Sequence, residues 1–187
     1  MKLQVQSIET APAEAQAALR AVREKYGFVP NLLGIMANAP PLLKAYLALN
    51  ELFQQTTLSP VEQQVVLLTI SEVNRCEYCV AAHTVAARMH KVPRGVIESV
   101  RSGQPIADDR LDALRCLTTE IVEGRGWPTQ AAIDDFLSAG YSSEQVLEVI
   151  LAVGMKTLSN YTNHLAHTPL DTQFSPAAWT AEAPATA

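Results

Sequence analysis

The sequence predicts an all-α protein, a helical bundle that forms a single domain. Apolar residues recur at spacings of three and four positions along most of the chain, which is the periodicity of amphipathic helices. Prolines stand where such segments begin, and no segment alternates between apolar and polar residues for long enough to indicate a strand. With 187 residues, of which 48% are hydrophobic, the chain is long enough to bury a core of its own.

The first four predicted helices begin near prolines or at a capping serine. Proline is tolerated at the start of a helix, because the N–H that it lacks would have no partner there. Pro12 and Pro40 mark two such starts, and Gly27 ends the first helix. Ser59 and Glu62 form a capping-box pattern, in which each side chain satisfies a free backbone N–H of the other residue. These helices are predicted over about 13–26, 28–39, 42–54 and 59–73.

The five remaining helices have similar start signals. Pro93 and Pro128 mark two of them, and Asp108 favours the start of another because negative charge complements the helix dipole. Ser142 begins a second capping box, with a glutamine three residues later. We expect the two capped helices to form the centre of the bundle. The predicted segments are about 76–90, 93–102, 108–123, 128–138 and 142–165.

The domain is expected to cover residues 1–171, followed by a tail. Residues 172–187 are rich in Ala, Pro and Thr, and we expect them to pack loosely. The N-terminus lacks the apolar core of a signal peptide, and Glu148 interrupts the densest apolar run, residues 146–153. These features predict a cytoplasmic protein that does not contact a membrane.

The formal net charge of -5 is spread along the chain without a basic run. Proteins that bind nucleic acid or anionic membrane surfaces carry basic patches, so the composition argues against both of these partners. A small-molecule substrate or partner is therefore expected.

Two cysteines and a histidine form the most informative pattern in the chain. On a helix, Cys76, Cys79 and His83 fall within about 60° of one another, so their side chains lie along one line. The start of a helix favours thiolate over thiol, because free N–H groups and the helix dipole stabilise negative charge. A thiolate attacks a peroxide oxygen, a second sulfur nearby resolves the sulfenic acid as a disulfide, and a histidine relays the thiol proton. The pattern predicts redox chemistry without a bound cofactor.

The same residues are also compatible with packing or with a metal site. Paired cysteines can be inert core residues, and zinc would need a fourth ligand from His164 or His167. We predict no metal, because the cysteine–histidine line supplies only three ligands. Cys116 lies in an apolar segment and is expected to be a core residue. Alternative roles for His164 and His167 are capping of the last helix or bonding at a subunit contact.

Several segments carry a resemblance to a known family. The central one reads Asn74-Arg75-Cys76-Glu77-Tyr78-Cys79-Val80-Ala81-Ala82-His83, and its lead-in reads Leu58-Ser59-Pro60-Val61-Glu62-Gln63-Gln64. The outer segments read Tyr26-Gly27-Phe28-Val29-Pro30-Asn31-Leu32 and Asn160-Tyr161-Thr162-Asn163-His164, followed by Thr168-Pro169-Leu170-Asp171. Over about residues 24–171 the chain resembles the AhpD-like alkylhydroperoxidase branch of the carboxymuconolactone decarboxylase family, especially its peroxidase-related members.

The resemblance implies an AhpD-like helical fold that assembles into a homo-oligomer, either a dimer, a trimer or a hexamer. It also implies a peroxidase-type oxidoreductase of antioxidant defence, which reduces hydroperoxides through a redox-active disulfide and is re-reduced by an external thiol or dithiol. In such enzymes a glutamate twelve residues before the first cysteine joins a proton relay with the histidine. This chain has Gln64 at that position, and glutamine cannot accept a proton as a carboxylate does.

Glu72 is our candidate for the missing carboxylate. If the helices on either side of the Asn74-Arg75 break form an antiparallel hairpin, residues equally far from the turn face each other. This counting puts Glu72 beside the cysteines and Gln64 near His83. The alternative is that Glu72 is a solvent-exposed charge at a helix end. The polar residues expected around this centre are Glu62, Tyr78, Asn160 and His164.

In the leading mechanism Cys79 is the attacking thiolate, because it lies one turn from His83, and Cys76 is the more accessible resolving thiol. The reverse assignment of the two cysteines stays open. Three other functions fit the pattern: thiol-disulfide exchange or redox sensing with little peroxidase turnover, decarboxylation of a lactone, and zinc binding. The cysteine pair argues against decarboxylation, because that acid–base chemistry needs no disulfide.

Overall fold

The structure, a computed structural model, describes residues 2–181 and leaves out residue 1 and residues 182–187. Nine α-helices and one short 3-10 helix make up the regular structure of the described part, which contains no strand. The prediction of an all-α fold is confirmed. The helices are α1 (Ala13–Tyr26), α2 (Asn31–Met36), α3 (Pro40–Gln54), α4 (Pro60–Val73), α5 (Glu77–Met89), α6 (Arg94–Arg101), α7 (Asp109–Glu123), α8 (Gln130–Ser138) and α9 (Ser143–Ala166), and the 3-10 helix is Ser175–Ala177.

Both predicted capping boxes form. At the start of α4, Glu62 N–H donates to the Ser59 hydroxyl at 3.3 Å, and Ser59 N–H donates to the Glu62 carboxylate at 2.7 Å. At the start of α9, Gln145 N–H donates to the Ser142 hydroxyl at 3.3 Å, and Ser142 N–H donates to the Gln145 amide oxygen at 2.9 Å. These bonds satisfy backbone N–H groups that the helices themselves leave free.

Helix α4 is the central element of the bundle. It packs against α5, α6, α7 and α9, and every residue from Glu62 to Ser71 is buried. Its apolar side chains join a large core cluster with residues of α7, α8 and α9, including Phe136 and Met155. A second cluster, formed mainly by α1, α2 and α3, contains Leu19, Leu33 and Leu43 and also both cysteines of the predicted pair. The pair therefore lies in the interior of the protein.

Helix α9 has 24 residues and an unusual buried face. The helix buries apolar residues in its first half but Lys156, Ser159, Asn160 and Asn163 in its second half. Among residues 2–181, α9 and the other helices all lack a stretch both long and apolar enough to cross a bilayer. The polar part of this buried face is directed at the cysteine pair, as described below.

The C-terminal segment differs from the loosely packed tail that the sequence predicts. The Arg101 guanidinium donates to the carbonyl oxygens of Ala177 and Ala178, and the Trp179 indole N–H donates to the Arg101 carbonyl at 2.9 Å. Ala177 is buried. One arginine and one tryptophan thus fix a segment whose composition alone suggests little order. The rest of the predicted tail, residues 182–187, lies outside the described residues.

Candidate active site

The cysteine pair lies at the junction between α4 and α5. There α4 ends in a Schellman motif, in which Arg75 N–H donates to the Glu72 carbonyl at 2.7 Å. The Cys76 N–H completes the motif by donating to the Ser71 carbonyl at 2.9 Å. Arg75 adopts the left-handed conformation that this motif needs, with φ of 56°. Cys76 is the N-cap residue of α5, one position before the helix in which the sequence places it, and Cys79 lies in the first turn.

Both sulfurs face the side-chain amide of Asn163 on α9. Its Nδ2 lies 3.2 Å from Cys79 Sγ and 3.6 Å from Cys76 Sγ. Both cysteines are buried and reduced. One amide nitrogen therefore contacts two sulfurs three residues apart, which brings together the pair that the sequence singles out.

The surroundings of Cys79 favour its thiolate form. Burial by itself would raise the pKa of Cys79. Hydrogen bonding from the Cys76 thiol, the positive charge of Lys156, and the amides of Asn160 and Asn163 outweigh burial and lower this pKa to about 5. The pKa of Cys76 is raised above its usual value, mainly because its thiol hydrogen-bonds to Cys79 and because it is buried. These surroundings favour a negative charge on Cys79 over one on Cys76.

His83 lies one helical turn beyond Cys79 on α5. Its pKa falls well below the usual value because the imidazole is desolvated and because Lys156 lies nearby. Within the described part of the chain, its Nδ1 is buried and has no hydrogen-bond partner. The imidazole is therefore neutral near neutral pH and is a weaker base than a solvent-exposed histidine.

Tyr78, between the two cysteines, connects this junction to the start of α2. Its hydroxyl donates to the Asp171 carboxylate at 2.5 Å and accepts from Leu32 N–H at 3.3 Å. The same carboxylate accepts from Asn31 N–H at 3.1 Å, so it also caps α2. Tyr78 and Asp171 thus fix the backbone on which both cysteines are carried.

The three acidic or amide candidates on α4 lie in different surroundings. Gln64 is buried, and among the residues described here its Oε1 has no hydrogen-bond partner. Glu62 makes the capping box and a 3.0 Å ion pair with Arg110, near the end of α4 opposite the cysteines. One carboxylate oxygen therefore stabilises the start of α4, and the other pairs with Arg110 of α7.

The geometry does not support the hairpin counting that put Glu72 beside the cysteines. Its half-buried carboxylate lies next to Gly103, after α6. Burial raises the pKa of Glu72, and the charges acting on it are those of Arg115, Glu123 and Arg75. Glu72 faces α7 because α4 is surrounded by helices, and a residue near its end need not point toward α5.

Lys156 and Asn163 are site residues that the sequence-based candidates do not include. Lys156 has no exposed surface, and Asn163 holds both sulfurs. A cation on the inward face of a helix is a recognisable signal, because Lys156 follows Val149 and Ala152 at helical spacing. Asn160, which the sequence does include, accepts a 3.0 Å hydrogen bond from Asn74 and lies close enough to Cys79 to lower its pKa.

A surface cavity of about 460 Å³ leads to the cysteine pair. Cys76 lines it, and Cys79 is not among its lining residues. His164 and His167 lie on its rim, where His164 stacks on Tyr161 and His167 ends α9 with φ of 49°. Within residues 2–181, no cluster of three or more His, Cys, Asp and Glu side chains has the geometry to hold a metal ion. The lining residues are Arg75, Cys76, Glu77, Tyr78, Asn163, His164, His167 and Thr168.

Comparison with solved structures defines the class of fold. The chain is similar to the AhpD-core, peroxidase-related protein of Ralstonia eutropha JMP134, with a TM-score of 0.80, 20% identity, and coverage of 92% of this chain and 93% of that one. A peroxidase-related protein of Silicibacter sp. TM1040 gives a TM-score of 0.75, 19% identity and coverage of 93% and 92%. The debrominase Bmp8 gives a TM-score of 0.75, 15% identity, and coverage of 88% of this chain and 90% of that one. These likenesses show an AhpD-like helical fold.

The sequence itself matches one family model. Residues 40–108, from α3 to the start of α7, match the model of the carboxymuconolactone decarboxylase family. No curated protein matches the sequence. The match to this family model and the AhpD-like fold agree with the resemblance seen in the sequence, which is confirmed. One of the similar structures, the debrominase, is an enzyme.

Proposed function

We propose that this protein is a thiol-dependent peroxidase that reduces hydroperoxides through Cys79 and Cys76. The observation that carries the proposal is the shared contact of both sulfurs with Asn163, at 3.2 Å and 3.6 Å, in surroundings that favour a thiolate on Cys79. A stabilised thiolate next to a second thiol is the arrangement that peroxide reduction through a disulfide requires.

The proposed reaction has two steps. The Cys79 thiolate attacks the terminal oxygen of the hydroperoxide, so that an S–O bond forms, the O–O bond breaks, and the alkoxide takes a proton from solvent to leave as an alcohol. The Cys76 thiol then attacks the sulfenic acid, giving the disulfide and water. The Cys76 proton leaves with the departing hydroxide as water, and His83, one turn beyond Cys79, stays the predicted relay for thiol protons. An external thiol or dithiol restores the pair by two exchange steps.

The cavity is the proposed route for both substrates. Cys76 lines it, so the oxidised pair would meet the reductant at Cys76 rather than at Cys79. Within the described residues the Asn163 Oδ1 is buried without a hydrogen-bond partner, and Asn163 also lines the cavity. An acceptor in this position is suited to receive the O–H of a hydroperoxide while Nδ2 holds the thiolate.

Thiol-disulfide exchange with little peroxide turnover is the second candidate function. The observation that favours it is the same opening of the cavity onto Cys76, since a partner thiol needs to reach only that sulfur. Exchange and peroxide reduction share every step except the attack on the peroxide oxygen. An assay of peroxide consumption therefore separates the two functions.

The decisive assay follows the loss of cumene hydroperoxide and of hydrogen peroxide with a dithiol as reductant. We expect catalytic turnover by the native protein and its loss in Cys79→Ser. Cys116→Ser is the matched control, because Cys116 lies on α7, in contact with Asp112 and Arg115 and away from the pair. Turnover that survives in Cys79→Ser, or native protein that exchanges disulfides but leaves every hydroperoxide intact, would refute the peroxidase proposal.

A further inference from the structure

Lys156 is a buried cation in the middle of α9. Its side chain has no exposed surface, and in the part of the chain that the structure describes its Nζ has no hydrogen-bond partner. Among those residues, no carboxylate lies within 4.0 Å of it. An ammonium in the interior is strongly unfavourable unless an anion compensates for its lost hydration. The position of Lys156 therefore calls for an anion other than Asp or Glu.

The register of α9 directs Lys156 toward the cysteine pair. Lys156, Asn160 and Asn163 lie within about 60° of one another around the helix axis. The last of the three contacts both sulfurs, and all three are buried. The charge of Lys156 acts on Cys79, Cys76 and His83, although its Nζ makes no hydrogen bond to any of the three. α9 thus presents a row of three nitrogen donors to the start of α5.

We propose that Lys156 is a positioning residue whose ammonium is the counter-charge of the Cys79 thiolate. In many cysteine–histidine pairs the protonated histidine balances the thiolate. Here the lysine takes that role. Only the catalytic role of Lys156 rests on the proposed function. The lysine–thiolate pair itself can be tested without any peroxide.

The other titratable groups around Cys79 do not compete for this role. Burial raises the pKa values of Tyr46 and Tyr78, so both phenols stay neutral near neutral pH. Asp171 is bound to the Tyr78 hydroxyl and to the start of α2. The titratable groups that act on the sulfur are Cys76 at the N-cap of α5, Tyr78 of α5, Tyr46 of α3 and Lys156 of α9, with Asp171 behind Tyr78.

The first test is a thiolate titration without peroxide. Reduced protein carrying Cys116→Ser is titrated between about pH 4 and pH 10, and thiolate is followed by its ultraviolet absorbance, which needs no access for a reagent. We expect Lys156→Met to raise the lower thiolate midpoint by at least about one pH unit, and Lys156→Arg to keep it near the native value. An unchanged midpoint in folded Lys156→Met, or an equal shift in both variants, would overturn the proposal.

A double-mutant cycle gives a second readout, which remains usable when one variant folds poorly because a replacement variant is available. Urea unfolding midpoints are compared at about pH 7.5 for the native protein, Lys156→Met, Cys79→Ser and the double variant, with Lys156→Gln replacing the methionine variant if needed. We expect the loss of the lysine charge to lower the midpoint when Cys79 is present and to raise it when Cys79→Ser removes the anion. Additive effects of the two substitutions would show that Lys156 and Cys79 do not interact, which would contradict the proposal. Failure of the peroxidase assay would leave both results unaffected.

Discussion

Asn163 and Cys79 lie 84 positions apart in the chain, and the amide of the first donates to the sulfur of the second at 3.2 Å. This contact joins the end of α9 to the start of α5. Because the same nitrogen lies 3.6 Å from Cys76 Sγ, a change at Asn163 acts on both members of the pair.

Replacement of Asn163 should weaken the thiolate in a graded way. A hydrogen bond to a charged group contributes about 1.5–3 kcal/mol, so Asn163→Leu should raise the pKa of Cys79 by about one to two units. Asn163→Asp should raise it further, because a carboxylate repels the thiolate. The midpoint of thiolate absorbance against pH should therefore be lowest for native protein, higher for Asn163→Leu and highest for Asn163→Asp. Identical titrations for all three would show that the contact does not stabilise charge.

The stability of the reduced protein should depend on pH through Cys79. The pKa of this thiol falls to about 5 in the folded protein, below its value of about 9 in the unfolded chain. Between these values the unfolded chain binds more protons, so stability should rise with pH and be lost as pH falls toward 5. The upper limit of the slope is about 1.4 kcal/mol per pH unit.

The measurement is urea unfolding of reduced protein at several pH values between about 5.5 and 8, with Cys79→Ser as the reference. The difference in unfolding free energy between the two proteins should increase with pH across this range. A constant difference would mean that Cys79 titrates alike in the folded and unfolded states. Cys116→Ser, whose site lies elsewhere, should follow the pH dependence of the native protein.

Tyr78→Phe should destabilise the junction that carries the cysteines. The change removes the 2.5 Å bond to Asp171 and leaves a buried carboxylate with fewer partners. A loss of about 1–3 kcal/mol in unfolding free energy is expected. Tyr161→Phe is the matched control, because Tyr161 is 56% exposed and an exposed substitution changes stability by less than about 0.5 kcal/mol. Equal losses of unfolding free energy in the two variants would show that the Tyr78 hydroxyl does not stabilise the junction.

Glu72→Gln should leave the thiolate titration unchanged. In the structure its carboxylate faces Gly103 and the positive charge of Arg115, not the sulfurs. The rate of cysteine alkylation against pH should therefore match that of native protein. A shifted profile would revive Glu72 as a base in the mechanism.

The sequence predicts most of the helical framework because its signals are local. Ser59 with Glu62 and Ser142 with Gln145 start α4 and α9 as expected, since a capping box involves residues only three positions apart. The pairing of Cys76 and Cys79 is local in the same sense. Even so, Cys76 is an N-cap residue rather than part of the helix, because the Schellman turn at Arg75 places it there.

The remaining features depend on contacts that the linear order does not contain. The counting that put Glu72 beside the cysteines treats α4 and α5 as an isolated hairpin, whereas α4 is surrounded by four helices. Lys156 and Asn163 reach the pair only because α9 packs against α5. The order of residues 172–181 likewise comes from Arg101 and Trp179, whose contact spans 78 positions.

The most direct test of the account is mass spectrometry of the single-cysteine variants after one equivalent of hydroperoxide. In Cys76→Ser we expect a sulfenic acid on Cys79, because Lys156, Asn160 and Asn163 still stabilise its thiolate, and in Cys79→Ser we expect Cys76 to be oxidised more slowly, because fewer groups stabilise its thiolate. In protein with both cysteines the product should be the Cys76–Cys79 disulfide. A sulfenic acid that forms only on Cys76, or no oxidation of either sulfur, would contradict the account.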